Sequence, residues 1–276
     1  MAITSKVDIK REKVLDPCLR QIILRLDYAG VSDVVDLVKI FEKKFPSDFR
    51  SKDEVYSRNY AIRKEDLREI SETLSVPVKV IEDERIIRYS GLKNVNGNTT
   101  LDISRYFICM TIDIDPNVQY EGLSNYVDKF KGAITGFKEN IIYFSPRRLG
   151  LRKIRVENLN SLEDANHTFE SFVYPNPCFG LSQPTTNKVV YFNHLADNDH
   201  EHLRYNLRRE FGMVQKPEGT PNGYQFILDI DAYYNDAVTL NSKKINDLIT
   251  LANLQEFELY VACMTFDYLK THLRQS

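Results

Sequence analysis

The sequence predicts an α+β protein built from two similar halves, each a mainly antiparallel sheet with helices packed on one face. Stretches that alternate apolar and polar residues, as strands do, are interspersed with stretches of helical periodicity along the 276 residues. A phrase also recurs: Thr-Ile-Asp-Ile-Asp at 111–115 returns as Leu-Asp-Ile-Asp at 228–231, each after an apolar run and before a helical pattern. We therefore expect a first α+β half at 1–140 and a second at 141–276, tightly packed or forming one domain.

The first half begins with the clearest alternation, at 18–28, which predicts a strand with Leu24 and Leu26 buried. A short side-chain oxygen can cap the helix that follows, and Asn-Gly favours a tight hairpin turn. In order, the predicted elements are a strand at 18–28, a helix from Ser32 or Asp33 to Pro46, a charged stretch at 47–75 with a short helical pattern in KEDLREISETL, strands on both sides of Asn96-Gly97, and a helix from Ser124.

The second half repeats the alternation of strand and helix patterns, and Phe226 and Leu228 are expected to be buried on its last strand. Ser161 and Asp164 have the spacing of a capping box, and prolines and glycines after it indicate a loop. In order, the predicted elements are a strand at 141–156 with a break near Pro146, a helix after Ser161, a loop at 174–187, a strand at 188–192, a helix at 199–211, a strand at 223–234 and a helix from about Ser242.

Composition narrows the function classes. Lys and Arg number 37 against 39 Asp and Glu, so the balanced charge favours a protein partner and leaves nucleic acid possible but not favoured. The N-terminus lacks the apolar core of a signal peptide, no run is long enough for a membrane span, and the four cysteines are widely spaced. We expect a cytoplasmic protein without a membrane association or a cofactor, and a homo-oligomer is possible.

Arginines form the first candidate site. Guanidinium groups match the geometry of phosphate and carboxylate groups, so the arginines near 150 and those on the helix predicted at 199–211 can together bind an anion or an acidic partner. The alternative is a solvated face paired with the many acids of the chain. The candidate residues are Arg147, Arg148, Arg152, Arg155, Arg204, Arg208 and Arg209, with Lys153 among them in sequence.

Histidines form the second candidate site. Imidazole and carboxylate groups are good ligands for zinc and other first-row divalent ions, and three of the five histidines lie within nine residues. The alternative is a polar loop and helix start. The candidate ligands are His194, Asp197, Asp199, His200 and His202. The Asp-Ile-Asp pairs, Asp113 with Asp115 and Asp229 with Asp231, could similarly hold Mg²⁺ or be solvated at strand ends.

Known catalytic motifs are absent from the sequence, which contains no GxxxxGK[ST], GxGxxG, GxSxG or HExxH. Catalysis by a Cys–His or Ser–His pair from distant parts of the chain stays open, because nothing in the sequence selects a pair.

Four segments resemble one family of proteins when taken in order. They are IILRLDYA, SPRRLGLRKIRV, FILDIDAYY and a terminal helix containing ELYVACMTFDYL. The chain is similar over nearly its whole length to a sporadically distributed family of uncharacterised prokaryotic proteins, which have a central Gly-Leu-Arg-aromatic-Ile-Asn phrase and a late Asp-Ile-Asp strand. Here Lys153 and Arg155 stand where the aromatic residue and the asparagine are usual. The scattered distribution implies an accessory gene, such as one of a mobile element, a phage-defence system or a toxin–antitoxin locus.

The leading hypothesis is thus a non-enzymatic binding or interaction protein. One alternative is a metal-dependent hydrolase or nuclease that uses the segment His194–His202. Another is a nucleotide or nucleic-acid binder that uses the arginines.

Overall fold

The structure is a computed structural model that describes 9–11, 14, 16, 18–61, 79–93, 95, 97–115, 122–161, 188–195, 203–214, 223–235, 240 and 244–272. The short helix expected in KEDLREISETL, the helix after Ser161 and the loop at 174–187 lie outside the described residues.

Nine strands and four helices are formed by the described residues. The strands are β1 (Leu19–Ala29), β2 (Phe49–Ala61), β3 (Lys79–Leu92), β4 (Asn98–Ile103), β5 (Phe107–Asp113), β6 (Ser145–Leu159), β7 (Lys188–Leu195), β8 (Leu203–Val214) and β9 (Gly223–Tyr234). The helices are α1 (Val34–Lys44), α2 (Ser124–Asn140), α3 (Ile245–Cys263) and α4 (Phe266–Thr271).

One sheet contains all nine strands, in the order β2-β3-β4-β5-β1-β6-β9-β8-β7. The pairing of β1 with β6 is antiparallel and places Leu24 opposite Leu151 at the centre. Strands from 1–140 and from 141–276 therefore form one continuous sheet. The α+β class is confirmed.

The burial of β1 follows its sequence alternation. Leu24 and Leu26 are fully buried, as predicted, and so are Phe226 and Leu228 on β9. Asp33 caps α1 by accepting a hydrogen bond from the backbone N–H of Val35 at 2.9 Å. The residues that face α1 on β1 are thus fixed by a period of two, and the turn after β1 is closed by a conventional helix cap.

The helices pack on one face of the sheet, which we call the covered face. The main apolar cluster joins alternate residues of the central strands to α1, α2 and the start of α3, and a second cluster joins β8 and β9 to α3 and α4. Members of the first cluster include Leu24, Met110, Leu151, Phe41 and Phe130. Since directly opposite residues of paired strands point to the same side, the register assigns every other residue to the opposite face.

The prediction of a helix at 199–211 is wrong, because residues 203–214 form strand β8, which pairs with β7 and β9. Leu203 and Leu207 are buried, whereas Arg204, Asn206 and Arg208 are not. The pattern therefore has the period of two of a strand, and the many long polar residues between the apolar ones obscured it.

The prediction of one long strand after Asn96-Gly97 is also wrong, because this segment forms two antiparallel strands, β4 and β5, joined by a turn at Ser104. The hydroxyl of Ser104 accepts hydrogen bonds from the backbone N–H groups of Tyr106, at 3.0 Å, and Phe107, at 3.1 Å. A serine side chain that replaces ladder hydrogen bonds in this way reverses the chain without glycine or proline. The charged residues after Phe49, which had no assigned structure, form edge strand β2.

The two Asp-Ile-Asp phrases occupy different places in their strands. Asp113 is the last residue of β5, whereas Asp229 lies inside β9, which continues to Tyr234. The strand predicted at 223–234 is confirmed as β9, and the phrase lies at the end of one strand and inside the other, so the phrase by itself is not a marker of equivalent positions.

Candidate interaction surface

The face of the sheet opposite the helices, which we call the open face, is the candidate site. No helix of the described residues packs on it. A row of directly opposite residues crosses it from β2 to β8. In order, the row is Asp53, Arg88, Asp102, Cys109, Arg25, Gly150, Tyr233 and Arg204. The open face is thus mainly polar and charged along this row, whereas the apolar clusters lie on the covered face.

Carboxylates neutralise several of these arginines. Arg88 binds Asp102 through two hydrogen bonds of 2.7 Å, and Arg25 donates to Asp27 at 2.6 Å. Arg88 and Arg25 still have side-chain exposures of 40% and 43%. The forked pair fixes the orientation of the Arg88 guanidinium, and both arginine side chains remain partly accessible to solvent.

The second half of the sheet repeats the arrangement. Arg152 binds Asp229 with two hydrogen bonds, of 2.8 and 2.6 Å, and Arg148 donates to Asp231 at 2.6 Å. Burial raises the pKa of Asp231, and the neighbouring Arg148 and Arg152 oppose that rise. These aspartates are therefore neutralised by arginines, which argues against the Mg²⁺ alternative for this phrase.

Aromatic rings support two of the guanidinium groups on the open face. The guanidinium carbon of Arg25 lies 4.2 Å from the ring centre of Phe107, and that of Arg148 lies 4.6 Å from the ring centre of Tyr233. A Cβ atom at Gly150 would come within 2.9 Å of Arg148, so the glycine gives this side chain room across the middle of the sheet. Cation–π contact and the carboxylate pairs together fix both cations.

The candidate arginines do not form one cluster. Arg148, Arg152, Arg204 and Arg208 lie on the open face by register, and Arg208 pairs with Glu210. Arg147 is exposed on β6. Arg209 of β8 lies opposite Leu228 of β9. Within the described part of the chain, the buried Nε of Arg204 has no hydrogen-bond partner.

Arg155, the remaining candidate arginine, is buried on the covered face and therefore lies apart from the arginines of the open face. It is 2% exposed on the covered face and donates to Asp16 and Glu256 at 2.8 and 2.7 Å. Lys153, two residues earlier, is fully buried and lies 2.7 Å from the same glutamate. Leu149, Leu151, Lys153 and Arg155 are spaced two residues apart along β6, so the side chains of both cations point to the same buried side as the two leucines.

Burial and the neighbouring charges together shift the pKa values of Lys153 and Glu256 in this buried cluster. Burial lowers the pKa of Lys153 to about 7, although Glu256 opposes the shift. Burial alone would raise the pKa of Glu256, but Arg155, Lys153 and Arg11 lower it to about 2. The neighbouring cations thus keep the pKa of Glu256 low despite its burial, whereas burial dominates the pKa of Lys153.

The histidine hypothesis cannot be placed in the fold. Asp197, Asp199, His200 and His202 lie outside the described residues, and only the backbone of His194 is placed, in β7 opposite Tyr205. Among the described residues, no group of three or more His, Cys, Asp or Glu is arranged to hold a metal ion.

Sequence reasoning missed the first-half members of the open face, notably Arg25, Arg88, Asp102 and Phe107. The alternation at 18–28 does predict that Arg25 faces away from the core. Its neighbours on adjacent strands could not be inferred, because their registers connect segments about 80 residues apart.

Comparison with known proteins finds no family model, no curated protein and no solved structure that matches the chain. The described helices include none that is both long and apolar enough to cross a membrane.

Proposed function

We propose that the protein is a non-enzymatic interaction protein whose open sheet face binds a protein partner. The observation that carries the proposal is the row of oriented charges on a face that no described helix covers. Arginine and aromatic residues are enriched where protein interfaces derive most of their binding energy. Here several arginines are already oriented by acids and rings, so binding would immobilise few additional side chains.

The charge of the open face favours a polypeptide over a nucleic acid. Arg25, Arg88 and Arg152 each lie beside a carboxylate on the same face. A phosphate backbone approaching this surface would meet acids as often as bases, whereas a protein with both signs of charge can match it. We therefore assign a folded partner with alternating surface charge.

An internal duplication is part of the proposal. β5 pairs with β1 and precedes α2, and β9 pairs with β6 and precedes α3. Two related halves joined through β1 and β6 would present similar charged rows side by side. The resemblance to the sporadic prokaryotic family fits an accessory interaction factor, of the kind carried in defence or toxin–antitoxin loci.

The experiment has two stages. Tagged wild-type protein is used to isolate its partner from the native host, and the purified partner is then titrated against variants. We expect Arg25→Ala to weaken binding roughly tenfold or more, since arginines at the centre of an interface are frequent hot spots. The matched control is Lys39→Ala on α1, which removes one cation from a side chain that is 73% exposed.

The proposal is contradicted when the purified partner binds Arg25→Ala and Lys39→Ala equally well, or when no protein is retained. Duplex DNA is titrated in parallel at several salt concentrations. Tight binding of DNA that weakens steeply with salt and is lost in Arg25→Ala would replace the protein partner with a nucleic acid.

A further inference from the structure

The strand at one edge of the sheet, β2, offers an interaction surface in addition to the open face. It is the first strand in the sheet order, and β3 is its only neighbour among the described strands. Its 13 residues include no proline or glycine, and Ser51–Glu54 are all exposed. An edge of this kind presents backbone N–H and C=O groups with which another strand can pair.

Much of β2 belongs to a ribbon of only two described strands. β3 pairs with β4 over Ile87–Ser90, which lie opposite Ser51–Glu54 of β2. Further along, Val55–Ala61 of β2 pairs with Lys79–Ile86 of β3, and no other described strand continues the sheet there. A two-stranded ribbon is marginally stable in water, whereas three or more strands are stable together. The ribbon is therefore where an added strand would stabilise the fold most.

The charged side chains at the start of β2 do not protect this edge. Charges often discourage strand pairing at an exposed edge. Here, however, Lys52 lies 2.6 Å from Glu42 of α1, and Arg85 of β3 donates to Glu54 at 2.9 and 3.0 Å. These contacts direct Lys52 and Glu54 towards α1 and β3 rather than across the outer edge.

The sequence of β2 is complementary to itself when two copies run antiparallel. In a pair related by a two-fold axis, the residue on the axis lies opposite its own copy. An axis at Tyr56, which is 59% exposed, places Glu54 of each copy opposite Arg58 of the other and opposes no like charges from 51 to 61. An axis at Val55 would instead place Lys52 opposite Arg58, so the charges select the axis at Tyr56 over its neighbour.

We propose that β2 pairs antiparallel with β2 of a second copy of this chain about a two-fold axis at Tyr56. The pairing runs from Ser51 to Ala61 in both copies and converts two ribbons into four adjacent strands, β3-β2-β2-β3. Since directly opposite residues point to the same side, the open faces of both copies lie on one side of a continuous sheet. On the covered side, a groove of about 400 Å³ between α1 and β2 leaves room for side chains of the added strand.

Sedimentation velocity of the full-length protein over a range of concentrations tests the proposal. We expect a reversible dimer for the wild type. Tyr56→Lys places two cations against each other on the axis, so it should raise the dimer dissociation constant roughly tenfold or more. The matched control is Tyr143→Lys, the same substitution at a tyrosine that is 79% exposed before β6, and it should leave the constant unchanged.

Crosslinking tests the register of the paired strands. Tyr56→Cys should be joined to its own copy by a short bis-maleimide, because position 56 lies on the axis. Ser51→Cys should not be joined, because it lies opposite residue 61 and about 33 Å from residue 51 of the other copy. Wild-type protein treated in the same way measures any contribution of the native cysteines.

Three results would overturn the inference: a wild type that stays monomeric at every concentration, equal dimerisation of Tyr56→Lys and Tyr143→Lys, or equal crosslinking at positions 51 and 56. A monomer that loses its protein partner in Tyr56→Lys, but keeps it in Tyr143→Lys, would assign the edge to that partner instead of a second copy. Circular dichroism identifies any loss of the dimer that is due to unfolding, and the cysteine variants then decide.

Discussion

Lys153 is a fully buried cation, and we expect it to oppose the stability of the core in which it lies. It is fully buried and is hydrogen-bonded to Asn253, beside Glu256, which is already contacted by Arg155. Taking a cation out of water costs several kcal/mol, and a shared carboxylate repays only part of it. An apolar side chain of similar length could fill the space of the aliphatic part of Lys153 equally well.

Substitution of Lys153 by methionine should therefore be neutral or stabilising. The pKa of Lys153 falls from 10.5 to about 7 on folding, so the unfolded chain binds more protons between these values and the wild type gains stability as pH rises through them. We expect Lys153→Met to equal or exceed the wild type in urea titration at pH 6, with a smaller advantage at pH 9. A loss above about 3 kcal/mol at pH 6 would show that the ion pair is net stabilising.

Glu256 should behave in the opposite way. Its pKa is lowered from 4.5 to about 2, so its ionised form stabilises the fold above pH 4.5, and that contribution is lost as pH falls towards 2. Glu256→Gln should cost about 3–5 kcal/mol at pH 7, because three cations lose a shared partner. The difference between the variant and the wild type should narrow in urea titrations from pH 5 to pH 3. A constant difference would show that Glu256 acts through packing.

At the scale of elements, β1 has a central role because it pairs with both β5 and β6. From Ile22 to Tyr28 its even-numbered residues are buried in the apolar core with α1 and α2, and from Ile23 to Asp27 its odd-numbered residues belong to the open face. One strand thus contributes to the core and to the candidate surface, and its two faces can be tested by adjacent substitutions.

Truncation of Leu24 should cost about 2–5 kcal/mol, the usual range for a buried leucine replaced by alanine. Ile23→Ala, one residue earlier and on the open face, should cost less than half as much, because Ile23 is only partly buried. Denaturant titration of both variants measures the difference. Equal losses would mean that the open face is covered as fully as the other.

The strands and helices that were predicted correctly are those whose pattern of apolar and polar residues lies within the element itself. β1 and β9 show regular alternation, and the stripe of α1 with its cap at Asp33 fixes that helix. The prediction for β8 was wrong because the three arginines and one glutamate that lie among its apolar residues are also compatible with a helix. The open face required the sheet order, and the buried cluster required contact between Arg155 and Glu256, 101 residues apart. Neither follows from a local pattern.

At the scale of the molecule, one sheet carries two surfaces of different character. The covered face holds the apolar clusters and the buried charges of Lys153, Arg155 and Glu256, and the open face holds oriented arginines. Because β1 and β6 join the strands of both halves, the sheet should not unfold in parts.

Cooperative unfolding can be measured conveniently because the chain has no tryptophan. A single tryptophan introduced at Tyr56 reports strand β2 of the first half, and one introduced at Tyr224 reports strand β9 of the second half. We expect their fluorescence transitions in urea to coincide with each other and with the loss of circular dichroism, as in a two-state transition. Separate midpoints would indicate two domains that unfold independently.

The assignment of the open face as the interaction surface is tested most directly by site-specific photo-crosslinking. A photoreactive phenylalanine analogue is placed at Thr111 on the open face or, as a control, at Lys39 on α1, and each protein is irradiated with the purified partner. The account predicts a covalent complex from position 111 and none from position 39. A complex from position 39 alone, or equal yields from both positions, would contradict it.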